Sequence, residues 1–184
     1  MRNLIFILTL IGVCLSSCND EDENPFRFTG SATSQKNAQL WNSNVRVTKN
    51  LPFDIGLDIA FTVLNSEGLQ REHLSIVRVK TSLDAQKIYL TLLDNQVKND
   101  SVAVLYTTLI DDGDVVGDVY GIDTTYNDNY VQLTKIDSKK CEITGIFNFR
   151  LRLIRDDNNG PTPPDFLEFT NGKFMSRVEK EWIE

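Results

Sequence analysis

Histidine and cysteine are nearly missing from this chain: one His and three Cys in 184 residues. A relay of two imidazoles, a His/Cys zinc site and a disulfide-dense scaffold all lack the side chains they require. No G-x-S-x-G, H-E-x-x-H or phosphate-cradling glycine loop occurs, so no catalytic residue is assigned from sequence. Cationic residues are outnumbered 19 to 26, for a formal charge of −7, which excludes a nucleic-acid partner of the usual basic kind. Beyond the first turns of the chain no apolar run approaches the roughly 20 residues that span a bilayer as a helix. What is present is ordinary globular composition, with 41% hydrophobic and 24% charged residues, enough for one domain.

The N-terminus carries the most specific signal. Met1-Arg2-Asn3 precedes an apolar run from Leu4 to Leu15 broken only by Thr9 and Gly12, the cationic start and short apolar core of a secretory signal peptide. Leu15-Ser16-Ser17-Cys18 follows and resembles the bacterial lipobox. The resemblance implies cleavage after residue 17 and a thioether between the Cys18 thiol and a diacylglyceryl group, with small residues at Ser16 and Ser17 admitting the backbone to the peptidase. Diacylglycerol and an N-acyl chain on Cys18 are then the only groups expected on the protein, and no separate cofactor is expected. Several acyl chains hold far more firmly than one, because each buried methylene contributes about 0.8 kcal/mol. With Cys14 in the leader and Cys18 lipidated, Cys141 is the sole free thiol; at the head of an apolar strand it reads as buried and inert.

Asn19-Asp20-Glu21-Asp22-Glu23 comes next, and the segment 18–36 reads as the lipidated cysteine on an acidic, flexible tether. Loss of Arg2 brings the mature charge to −8, half of it in that run. An acidic run beside the cysteine also resembles the surface-export signal of Bacteroidetes lipoproteins, which implies an outer-membrane location, facing either the periplasm or the exterior. The acidic balance predicts no surface complementary to phosphates or anionic head groups.

Residues 37–184 read as a single all-β domain, an antiparallel sandwich or barrel-like sheet of about eight to ten strands with minor helix. From Cys141 to Ile154 the period is two: Ile143, Phe147, Phe149, Leu151 and Leu153 share a face, and Thr144, Asn148, Arg150 and Arg152 the other. Gly145 marks a bulge or bend there. Further strands are expected over 44–48, 58–64, 74–80, 88–93, 101–109, 130–136, 166–170 and 173–178. Asn171-Gly172 reads as the hairpin turn between the last two. Helix is expected over 67–73, with a terminal turn carrying Val178 and Trp182.

Ile143-Thr144-Gly145-Ile146-Phe147-Asn148-Phe149, Phe169-Thr170-Asn171-Gly172-Lys173-Phe174 and the opening Ala38-Gln39-Leu40-Trp41-Asn42 resemble the β motifs of an uncharacterised family of Bacteroidetes lipoproteins. The chain departs from that pattern in its turn before Trp41 and in the insert Gly160–Pro164. The resemblance implies an all-β, lipid-anchored domain and no mechanism.

The Asp-rich stretch offers Asp111, Asp112, Asp114 and Asp118 as weak calcium candidates, since clustered carboxylates suit a hard cation. They lack the EF-hand alternation and its distal Glu, and a long solvated hairpin from Leu109 to Tyr130 explains them equally. His73 reads as a surface residue. Arg150, Arg152 and Arg155 alternate on a polar face, where they would meet an acidic glycan or pair with acids on the next strand. Asp100-Ser101-Val102 and Asp123-Thr124-Thr125 resemble periplasmic O-glycosylation triplets. The expected function is a binding or interaction module on the membrane, for a glycan or envelope protein. The alternatives are a carbohydrate-active hydrolase using loop carboxylates or a structural subunit of an outer-membrane complex. An exposed platform of Trp41, Tyr126 or Tyr130 would favour glycan.

Overall fold

The computed structural model describes residues 28–49, 56–93, 101–157, 161–179 and Trp182. The leader, Leu15, Ser16, Ser17, Cys18 and the acidic run lie outside the described residues. Eleven strands follow in order: β1 (Gly30–Lys36), β2 (Gln39–Lys49), β3 (Leu57–Leu64), β4 (Gln70–Val79), β5 (Gln86–Lys87), β6 (Leu90–Thr91), β7 (Ala103–Ile110), β8 (Val115–Ile122), β9 (Tyr130–Asp137), β10 (Glu142–Arg155) and β11 (Phe166–Arg177). Strands β1, β2, β3, β4, β7, β8, β10 and β11 pair antiparallel in that order, and β11 closes back on β1. The all-β expectation holds, and of its two forms the sheet is the closed one: an eight-stranded barrel with extra strands.

Strand β10 is long enough to hold two partners along one edge. Its first half pairs with β9, from Glu142↔Asp137 to Asn148↔Tyr130, and its second half with β8, from Leu151↔Ile122 to Arg155↔Val119. β8 and β9 thus act as one interrupted strand, and β5 and β6 fill the corner between β9 and β7. At the entry end, where β1 begins, lie the connections β2–β3, β4–β7 and β9–β10. At the far end lie β1–β2, β3–β4, β7–β8 and β10–β11.

Period-two patterning fills the barrel. Phe61, Phe147, Phe149, Phe169 and Phe174 point inward and are essentially inaccessible. Their rings interlock: Phe61 meets Phe147 edge-on at 5.2 Å, Phe147 stacks on Phe149 at 5.2 Å, and Trp41 meets Phe169 at 5.1 Å. The alternation read from 143–153 holds. An eight-stranded barrel is only wide enough for side chains or one small ligand, and here bulky rings take the interior.

Several boundaries differ from the sequence reading. The segment 30–36, assigned to the tether, is β1, so the barrel begins before residue 37. No hairpin forms at Asn171-Gly172: β11 runs through as one strand. Asn171 takes φ 55° there, and the pairing with both β1 and β10 shifts, which is a bulge. The reason is a reciprocal fit. In register, Gly172 faces Phe147 and Gly145 faces Phe174. A Cβ at either glycine would run into the opposite ring. Gly145 does mark a bulge, between β10 and β9. The helix expected over 67–73 is a turn and the start of β4. Asn65 Oδ1 accepts the amides of Glu67 (3.0 Å) and Leu69 (2.9 Å), an Asx turn that competes with helix initiation. The stretch 109–130 is no single solvated hairpin, because β8 runs through it; Gly117, Asp118 and Gly121 had broken its apolar alternation. The minor helix reduces to a turn at Trp182, whose amide reaches Glu179 O (3.1 Å) and whose ring packs on the core.

Candidate functional site

The far-end mouth is where polar side chains converge. Asn37 and Ala38, at φ 49° and 63°, make the tight β1–β2 turn and place Lys36 on the inward parity of β1, after Ala32 and Ser34. Glu72 has the inward parity of β4, ahead of Leu74 and Ile76. Lys36 Nζ donates to Glu72 Oε1 (2.6 Å) and to the Tyr106 hydroxyl (3.2 Å), while Trp41 Nε1 donates to Glu72 Oε2 (2.7 Å). Both carboxylate oxygens are therefore engaged. Burial, reinforced by Glu72, holds the Tyr106 hydroxyl far above its ordinary pKa, so it stays protonated. Beside it, burial and Asp118 push Tyr120 up to about 12, and its hydroxyl donates to Pro164 O (3.1 Å). The network is a paired plug. Its two tyrosines stay protonated near neutral pH.

Outside the plug, carboxylates dominate. Among the described residues, the far-end connections carry Glu67, Asp111, Asp112, Asp114, Asp156, Asp157 and Asp165 and no Lys or Arg; Lys36, Arg71 and Arg155 stand on adjoining strand ends. The four calcium candidates separate. Asp118 comes together with Asp156 and Asp157, one carboxylate oxygen from each lying within 4.8 Å of the others, a set able to ligate a divalent cation. Asp112 and Asp114 instead bond each other on the exposed turn, which lowers the pKa of Asp112 and raises that of Asp114. Asp111 offers its carbonyl to Arg71 (2.7 Å).

A second constellation pins the interruption between β8 and β9. Asp123 Oδ2 accepts Arg150 Nε (2.7 Å), Asp123 Oδ1 accepts the Thr125 amide (3.0 Å) and hydroxyl (2.7 Å), and Asn129 Nδ2 donates to Asp123 O (2.7 Å). The Arg150 guanidinium lies 4.9 Å from the Tyr126 ring centroid and 5.1 Å from that of Phe166. Burial disfavours the Asp123 charge, but the Thr125 and Arg150 hydrogen bonds outweigh it and hold the carboxyl below its ordinary pKa. Pairing with acids is therefore what the structure gives Arg150, with Glu168 a looser second partner at 3.8 Å.

Other sequence candidates land elsewhere. The aromatic platform does not form: Trp41 is buried, Tyr126 stacks on Arg150 and Tyr130 is half-buried in β9. His73 is half-buried, with Nε2 2.8 Å from Ser75 Oγ, Nδ1 buried without a partner and a pKa lowered by burial. Cys141 is half-buried rather than buried, at φ 53° in the β9–β10 turn. Of the glycosylation triplets, Val102 and Asp123 are buried. Sequence reasoning missed Lys36, Glu72, Tyr106, Tyr120, Asp156 and Asp157. The inward parity of Glu72 relative to Leu74 and Ile76 was the signal that could have found the first pair. No family model, no curated protein and no solved structure matches the chain.

Proposed function

We propose that the chain is a lipid-anchored protein of the cell envelope, held at the outer membrane through acyl chains on Cys18, with a barrel that serves as a non-enzymatic binding module. The observation that supports this best is the polarity of a filled barrel. The chain enters β1 at one end, and the connections of the other end are acidic. The eleven residues from Asn19 to Thr29 extend at most about 40 Å and join the barrel at its entry end, so the far end is free to stand farther from the lipid. With the interior occupied by rings and the mouth plugged, recognition falls to the outer surface of the far end. Its carboxylates select a glycan or envelope protein whose contact groups are cationic or bridged by a divalent cation.

Metabolic labelling with a fatty acid tests the anchor: the wild type incorporates label and Cys18→Ala does not, whereas equal incorporation sinks it. A photoreactive residue at Ala38, on the far-end turn, tests the module. The expected result is one defined envelope adduct in intact cells. No adduct from this end, together with hydrolysis of an envelope glycan by the purified protein, would replace the reading with an enzymatic one.

A further inference from the structure

The outer wall over β1, β2 and β3 carries a different chemistry from either end of the barrel. Register sets Ser31, Asn44 and Thr62 in one outward row across the three strands, and Thr33 beside Asn42 in the next. On the other flank of β1, Ser31 faces Met175 and Thr33 faces Lys173. The side chains on β1 are smaller than those on either side, so β1 forms the floor of a trough walled by β2 and β11. It measures about 350 Å³ toward β3 and about 220 Å³ toward β11, the two parts meeting over Ser31 and Thr33. Of its lining side chains only Lys173 is charged, and Met175, 45% exposed, and half-buried Leu64 add apolar surface at the rims. The polar lining is unspent: Ser31, Thr33, Asn42, Asn44 and Thr62 make no side-chain hydrogen bond to another described residue. Thr62 stands apart among them. It is only 4% exposed although its position is outward, and its hydroxyl, unlike the inward Ser43 Oγ, is not sealed from solvent. Because Thr62 lines the trough, the trough is the approach to that hydroxyl.

We infer that this trough binds a neutral oligosaccharide lying across β11, β1, β2 and β3. Buried polar groups find hydrogen-bond partners as a rule, and the partner of Thr62 comes from outside the chain. Hydroxyls and carboxamides both donate and accept, so a ligand matched to five of them carries hydroxyls at close spacing. Steps of about 4.8 Å from strand to strand present such groups at intervals near the length of one pyranose ring. Met175 and Leu64 meet the C–H faces of the sugar. An anionic ligand would find a single lysine here. An extended peptide would find no free edge, because β1, β2 and β3 are paired on both sides. The site needs neither the Cys18 anchor nor the acidic far end, and it places recognition on the barrel wall as well.

The test screens the full chain in detergent against immobilised neutral oligosaccharides of glucose, mannose, galactose, xylose and N-acetylglucosamine. At least one should be retained, and calorimetric titration with that sugar gives the affinity. Thr62→Val keeps the side-chain shape without the hydroxyl, and Asn44→Ala removes one carboxamide; each should weaken binding about tenfold. Thr33→Arg, at an exposed position, fills the trough without entering the core and should abolish binding, while Thr134→Val on β9 should leave it unchanged. Retention of none of these sugars overturns the site, as does a retained sugar whose affinity Thr33→Arg and Thr62→Val leave unchanged. Sedimentation showing a dimer that Thr33→Arg breaks gives the trough to a second copy and overturns the sugar.

Discussion

Asp123 concentrates more of the protein's polar bonding than any other acid described above. Its carboxyl accepts Thr125 and Arg150, so protonation weakens those bonds and leaves the one from Asn129 to its backbone carbonyl in place. The folded pKa lies below the unfolded value. The stabilisation is therefore complete above about pH 4 and is lost as pH falls through the folded pKa. Urea titrations of the wild type should show this acid-dependent loss, and Asp123→Asn should lack that component while costing about 2 kcal/mol at pH 7. His73 has the same sign for a different reason. Burial lowers its pKa, so the unfolded chain binds a proton that the native one resists, and stability declines below about pH 6.5. In His73→Gln the slope of stability below about pH 6.5 should flatten; an unchanged slope would assign it to other groups.

At the level of strands and turns, the long alternating run of β10 was legible because burial leaves a period-two trace that even the bulge at Gly145 does not break. Asn171-Gly172 misled because the same pair that makes a hairpin also suits a bulge: Asn accepts the left-handed φ, and Gly clears room for the Phe147 ring. Only the partner strand decides between the two, and pairing is not local information. The mouth was illegible for a related reason. Lys36 and Glu72 lie 36 positions apart, and neither β1 nor the start of β4 was recognised as strand. Two substitutions separate turn from bulge. Ala38→Gly relieves a left-handed alanine at φ 63° and should raise stability by about 0.5–1 kcal/mol, net of the chain entropy that glycine adds. Gly172→Ala should cost about 1–3 kcal/mol, because the Phe147 ring must shift. Chemical denaturation of both variants reads the signs directly.

Across the whole molecule, one cluster of rings ties strands from opposite sides of the barrel: Phe61 of β3 touches both Phe147 of β10 and Phe174 of β11. Phe147→Ala should therefore cost about 3–5 kcal/mol and lower the single unfolding transition as a unit, observable by calorimetry. The pairing of β1 with β11 that completes the ring also removes any intrinsic first strand from the cyclic order. A circular permutant opened at exposed Gly68 and joined through a short linker from Val178 to Thr29, whose neighbouring backbones are already bonded, keeps all eight barrel pairings. Such a permutant moves the chain's start to the acidic end. On the anchor proposed above, acylation there would hang the same barrel upside down.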